Sequence, residues 1–310
     1  MGNPHISYRA YLSGGYHDLK YATHDGSNWH IEIADPGVYA GSSTSLAVDK
    51  FGKPHISYND FGNLEYAHFD GSTWNTQTVD YRGRVGSHSS IAIDSVGGLH
   101  ISYGDYTDNT NADLKYAFRD GVSWKIETVD SEGSVGFHTS VVVDSSDLPR
   151  IGYLDWDNSD IKYARYDGSS WDIEVVDAGD YNWSSSLALD SADNPHISYF
   201  SQRENWWSTE LRYAYHNGTE WLVQTVDRTS GGYGTYTSIA LDSSGHPHIS
   251  YDMGGATRYA YFDGSSWHIE TVDSEGWTGY YNSIALDASD SPRISYLASY
   301  PSDNAALKYA

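Results

Sequence analysis

Short apolar runs alternating with polar residues fill this chain from end to end, and none of them carries a sustained helical period. The clearest copy reads Ser90-Ile-Ala-Ile-Asp94, Leu99-His-Ile-Ser-Tyr103, Leu114-Lys-Tyr-Ala117 and Trp124-Lys-Ile-Glu-Thr-Val-Asp130. These runs, called A, B, C and D, are rich in Ile, Val, Thr, Tyr and Trp. Gly, Asp, Asn, Ser and Pro separate them, the pattern of short antiparallel strands joined by tight turns.

The four runs return about every 48 residues. Ile6, Ile56, Ile101, Ile151, Ile197, Ile249 and Ile294, at the centre of run B, are spaced by 50, 45, 50, 46, 52 and 45 residues. One four-stranded meander has two apolar faces and buries neither alone, so the units must stack face to face, and radial closure protects their edges. The period therefore predicts an all-β fold, a β-propeller of four-stranded antiparallel blades forming a single domain over residues 1–310. B and C occur seven times, A and D six times, and the chain opens at a B run and stops at the C run Leu307-Lys-Tyr-Ala310. Seven blades, the first and last incomplete, use every strand; six blades, the alternative, leave the first B and C over. The absent D and A are neighbours across the closure, and open blade edges of that kind invite another chain to add a strand.

The turns joining C to D read His24-Asp-Gly-Ser-Asn-Trp29, Phe69-Asp-Gly-Ser-Thr-Trp74, Arg119-Asp-Gly-Val-Ser-Trp124, Tyr166-Asp-Gly-Ser-Ser-Trp171, His216-Asn-Gly-Thr-Glu-Trp221 and Phe262-Asp-Gly-Ser-Ser-Trp267. They resemble the Asp-box turns of the sialidase-type bacterial neuraminidase repeat propellers, whose box has one more residue between Asp and Gly. In such a turn Asp accepts backbone hydrogen bonds, Gly takes the positive-φ position and Trp packs beneath the hairpin. The resemblance implies a structural turn on the face away from any active site.

His5, His55, His100, His196 and His248 share one position of run B, replaced in the other copies by Arg150 and Arg293. Their recurrence on separate strands points to a repeated hydrogen-bond network rather than catalysis. The expectation is that His and Ser of B reach the Asp ending run A (Asp49, Asp94, Asp144, Asp190, Asp242, Asp287) or a neighbouring turn. Such a network would resemble the Asp-His-Ser-Trp tetrads of WD-repeat propellers.

Composition narrows the partners. A net charge of -24 leaves no basic surface for a phosphate backbone, which argues against nucleic acid and anionic membranes. No apolar run reaches the length of about 18 residues that a transmembrane helix needs, and no apolar signal segment precedes the first repeat. Cysteine is absent, so disulfides and thiolate chemistry are excluded. An acidic chain rich in Ser, Thr, Asn and Tyr is expected outside the cell or on its surface.

Function is expected where the repeats disagree. With A innermost, the D-to-A and B-to-C connections share one face, and propellers place binding sites there. The first set carries Ser42-Ser43, Ser87-His88, Phe137-His138, Trp183-Ser184, Thr235-Tyr236 and Tyr280-Tyr281, together with Tyr39, Tyr181, Tyr233 and Trp277. The second carries Tyr11, Tyr106, Trp156, Trp206, Trp207 and Tyr300. Aromatic rings on a polar rim stack sugar rings or grip extended polymers. The ligand-binding candidates are therefore His88, Phe137, His138, Trp156, Trp183, Trp206, Trp207, Tyr236, Trp277, Tyr280 and Tyr281, with about half of such rings expected to be packing. Asp155, Asp157 and Asp160 form a candidate calcium site in one B-to-C loop; no other cofactor is implied.

These features favour a lectin-like extracellular propeller that binds carbohydrate or another extended polymer at one composite site. No arginine triad of the sialidase kind declares itself. A polysaccharide-cleaving enzyme is the alternative, with His88 or His138 beside a Tyr and Arg82 or Arg84. A third reading is a protein-binding module of a surface assembly.

Overall fold

In a computed structural model of the chain, residues 3–37, 39–108, 111–179, 181–202, 208–230, 232–299 and 305–310 are described. Among them, 26 strands and no helix form seven antiparallel sheets. Five sheets have the meander order A-B-C-D, the first is B-C-D and the last A-B-C. This is the seven-bladed β-propeller that the repeat predicts, with three-stranded first and last blades. The chain divides into two compact units, Asn3–Asp157 with Ala164–Ile173 and Asn158–Tyr163 with Glu174–Ala310.

In the third sheet B, C and D are Leu99–Asp105, Asp113–Arg119 and Trp124–Asp130, as the runs predict. Strand A differs. It spans Val85–Ile93, reaching back through residues expected to be loop. Gly86 and His88 hold φ of 84° and 54°, and the register shifts around Ser87, so a bulge keeps this stretch paired instead of releasing it.

Strand B is buried on both faces because sheets cover it on either side. Ile56, Ile101, Ile151, Ile197 and Ile249 have no exposed surface, and neither do the tyrosines two residues on. Burying each such side chain stabilises the fold by roughly 1.5–3 kcal/mol.

Within each unit, neighbouring sheets are joined at three levels. Deepest is the strand-B tyrosine, whose hydroxyl donates to the Asp closing strand D of the preceding sheet. Tyr58 reaches Asp35 at 2.6 Å, Tyr103 Asp80 at 2.8 Å and Tyr153 Asp130 at 2.7 Å. In the other unit Tyr199 reaches Asp177, Tyr251 Asp227 and Tyr296 Asp273 at 2.6, 2.7 and 3.0 Å. Burial, with the adjacent carboxylate, pushes the phenol pKa of Tyr153 far up, so it is always a donor.

Further out, the strand-D tryptophan packs on its own hairpin, as expected, and also latches onto the sheet before it. Trp74 lies 5.6 Å from Phe69 and 5.2 Å from Tyr21, and its Nε1 donates to Glu32 at 2.7 Å. Trp171 donates to Glu127 at 2.9 Å and Trp221 to Glu174 at 3.0 Å. The turn beneath is built as the residues imply: Asp70 Oδ1 accepts the amides of Ser72 and Thr73 at 2.7 and 2.9 Å, and Gly71 has φ 107°.

The third level joins A strands. Ser45 accepts the Ile91 amide at 3.2 Å, and Ser90 the Val141 amide at 3.1 Å. The strand-B histidine does meet the Asp ending strand A: His100 Nε2 is 3.3 Å from Asp94, while Nδ1 bonds Tyr116 at 2.6 Å. The strand-B serine does not reach that Asp. Ser102 donates to Thr139 of the next strand A at 2.8 Å, and Thr139 donates onward to the His88 carbonyl at 2.8 Å. The serine faces the neighbouring sheet, so its partner comes from there.

One junction breaks the repeat. The second residue of run C is Lys20, Lys115, Lys162, Arg212, Arg258 or Lys308, but Glu65 in the second sheet. Arg212, Arg258 and Lys308 reach the Asp closing the preceding strand D, at 3.0, 2.9 and 2.6 Å. Glu65 instead meets carboxylates. Burial pushes its pKa up to about 7, helped by Asp60 and Asp35 and opposed by the hydroxyl of Thr78.

Two outcomes follow for stability. Tyr153→Phe strips a donor from the buried Asp130 carboxylate and should cost about 1–3 kcal/mol in denaturant unfolding. Glu65 holds its proton up to about 7 when folded against an ordinary 4.5. The stability of the protonated form is thus full below about pH 4.5 and lost as pH rises through about 7. Glu65→Lys should therefore raise Tm by about 1–3 °C at pH 8 and by less at pH 5, as calorimetry at the two pH values will read.

Candidate functional site

Stitching of A strands decides which variable residues meet. Because A strands within each unit are pinned to the next, equivalent positions of adjacent repeats there lie side by side. Ser43, His88, His138, Ser184 and Tyr281 all hold φ between 48° and 54°, at the bulge of their strands. In this left-handed conformation the His88 carbonyl turns towards the Thr139 hydroxyl of the next strand, at 2.8 Å. The side chain at that position is left free to face its counterpart.

In the first unit the counterparts are rings. His88 and His138 sit 4.5 Å apart, and Phe137 is 6.0 Å from His88. Gly136, at φ 85°, allows the close approach that places Phe137, since a Cβ there would sit 2.8 Å from the Asp113 carbonyl. The ends of two B strands add Tyr106, 5.1 Å from Phe137, and Trp156, 5.4 Å from it. Tyr106, Phe137 and Trp156 thus form a row beside the histidine pair. Trp156 is 59% exposed, so the row opens to solvent.

The electrostatics of this cluster are those of neutral groups. Burial lowers the His88 pKa to about 4, and burial with the neighbouring His88 lowers that of His138 to about 3. Both imidazoles are therefore uncharged at neutral pH. Burial pushes the Tyr106 phenol up, and its hydroxyl is buried with no hydrogen-bond partner. Tyr106 was legible only as one loop aromatic among many; nothing in the sequence marked its hydroxyl.

The second unit repeats the theme with different residues. Tyr236 and Tyr281 lie 4.3 Å apart, and Asp252 accepts the Tyr236 amide at 2.6 Å. Tyr281 and Trp277 are 65% and 61% exposed, and the Trp277 ring covers Gly255. Tyr280 is half-buried opposite Leu297. Trp183 is a packing residue: it stacks on Phe200 at 6.0 Å and its Nε1 donates to the Gly234 carbonyl at 2.7 Å. Trp206 and Trp207 lie outside the described residues, as does Tyr300.

For the candidate calcium residues the partners are backbone amides. Asp157 accepts from Ser134 at 2.9 Å and Asp160 from Gly179 at 2.8 Å, while Asp155 is fully buried. Among the described residues no three His, Asp or Glu side chains are arranged to hold a metal ion. No helix among them is long and apolar enough to cross a membrane.

No known family profile and no curated protein matches this sequence. Solved structures do match the fold. A polysaccharide lyase of family PL25, an ulvan lyase bound to -[GlcA(1-4)Rha3S]-, superposes with a TM-score of 0.70 at 12% identity, over 99% of this chain and 89% of that one. The GH93 alpha-L-arabinofuranosidase of Fusarium graminearum, in complex with arabinobiose, gives 0.60 at 10% identity over 87% and 92%. A Hadza microbial sialidase gives 0.56 at 12% identity over 95% and 73%. At these identities the likeness is one of fold.

Proposed function

We propose that this chain binds a carbohydrate polymer outside the cell, through the aromatic rows on the D-to-A and B-to-C connections, and does not cleave it. The observation that carries the reading is the row Tyr106, Phe137 and Trp156, with ring centroids 5.1 and 5.4 Å apart and its outer ring open to solvent. Rings of this kind take the C–H face of a sugar, and the surrounding Ser, Thr and Asn supply hydroxyl partners. The carbohydrates named with the similar folds support the same class of ligand. The C-to-D turns are then structural Asp-box relatives at the opposite end of the blades.

A second reading has its own observation. His88 of the neutral histidine pair and Tyr106, whose hydroxyl has no partner, both lie against the Phe137 ring, and a base and an acid around one ring suit elimination on an acidic polysaccharide.

Affinity electrophoresis through gels containing soluble polysaccharides separates the two. Binding should appear with at least one polymer, and Trp156→Ala should weaken it about tenfold without lowering Tm, a change of about 1.4 kcal/mol in affinity. Full-strength binding in both Trp156→Ala and Phe137→Ala would overturn the proposal. Release of a UV-absorbing unsaturated product, abolished in His88→Ala and Tyr106→Phe, would replace binding with elimination.

A further inference from the structure

A second ring row, on other repeats of the first unit, has no part in the site above. Tyr11 meets His17 at 4.5 Å, His17 meets Tyr39 at 5.8 Å, and Tyr39 stacks on Phe61 at 5.2 Å with planes 25° apart. The row runs from the end of strand B in the first sheet to the B-to-C turn of the second. Tyr11, Tyr39 and Phe61 are 69%, 42% and 81% exposed. The His17 Nδ1 is buried with no partner.

Phe61 is the residue that folding does not explain. It and Gly62 form a two-residue turn between Asp60 and Asn63, with φ of 49° and 89°. Two successive positive φ values define the turn that favours Asn-Gly, Asp-Gly or Gly-Gly. The matching turn in the sixth sheet, between Met253 and Ala256, is Gly254-Gly255 with φ of 64° and 82°. At Phe61 the chain accepts both left-handed strain on a bulky residue and an exposed benzyl group. A rule broken locally with no packing gained beyond one exposed ring stack is the mark of a functional position.

We infer that Phe61, Tyr39, His17 and Tyr11 form a separate stacking platform for a neutral glycan, an inference that rests on the carbohydrate-binding reading above. Its chemistry selects neutral over acidic sugars. Asp35 and Asp60 lie beside the turn, and the chain carries a net charge of -24. Of the cations near the row, Arg9 is committed: it lies over the Tyr11 ring at 4.6 Å and donates to Ser42 at 3.1 Å and to the Tyr11 hydroxyl, while the Arg84 backbone lies against Gly62. Two platforms on one chain raise avidity for a repeating polymer without any new contact.

Phe61→Gly separates the two roles of this residue, since glycine suits the turn and removes the ring. The full chain, Phe61→Gly and Trp156→Ala are run through gels containing hydroxyethylcellulose, galactomannan or alginate, and melted in parallel. Phe61→Gly should keep or raise Tm while losing at least fivefold in affinity for a neutral polymer. Unchanged affinity in Phe61→Gly, with loss in Trp156→Ala, would overturn the platform and leave the proposed function standing. Retardation by alginate alone would overturn the neutral assignment. A full chain that no polymer retards would bring down both readings.

Discussion

Everything in this fold hangs on a buried phenol donating a hydrogen bond to a carboxylate in the sheet before it. The Tyr-to-Asp bond recurs at six junctions and sits in the core at both ends in two of them, Tyr103 with Asp80 and Tyr153 with Asp130. A charged acceptor removed from water is costly unless donors meet it, so the bond dictates spacing and angle between sheets. The tryptophan latch then sets the outer rim, and the serine and threonine relay sets the A strands. Each level uses a residue from one sheet and its partner from the next, which is why the recurring residues are spent on adhesion between repeats.

That division of labour leaves the variable residues to meet one another at the ends of the strands. In the first unit it brings His88, Phe137 and His138 together from two adjacent A strands and adds Tyr106 and Trp156 from the B-strand ends. In the second unit the same positions bring Tyr236 to Tyr281. The ring pairs are consequences of junction geometry: where neighbouring repeats of one unit both carry a ring just before strand A, His88 with His138 and Tyr236 with Tyr281, the rings lie in contact.

Fold and site were unequally legible. A period of about 48 residues and strands ending in Asp were enough to read blades, order and count, because burial on both faces of strand B leaves its mark on every copy. Strand A was misjudged at its start: a bulge carried by Gly86 and His88 reads in sequence as a loop. The strand-B serine was sent to the wrong partner because its acceptor belongs to the following repeat, some 37 residues on at Thr139. Among site residues, the contact of His88 with His138 needs the stitching of A strands, and no spacing rule discloses it. Trp183 looked like Trp156 in sequence, yet one ring is stacked on Phe200 and the other meets water. Phe61 was passed over because a turn of Phe and Gly looks ordinary until both φ values are known to be positive.

The bulge of strand A has a wider meaning for how this scaffold tolerates change. At Ser43 and His88 it is the main-chain carbonyl that accepts the bond from the next strand, at 2.8 Å in both copies, whatever side chain is attached. Serine, histidine and tyrosine all occupy this position at nearly the same backbone angle. Identity at the bulge is therefore uncoupled from the architecture, and side-chain chemistry can be rewritten there one repeat at a time, as characters are changed in a line of type whose spacing is already locked.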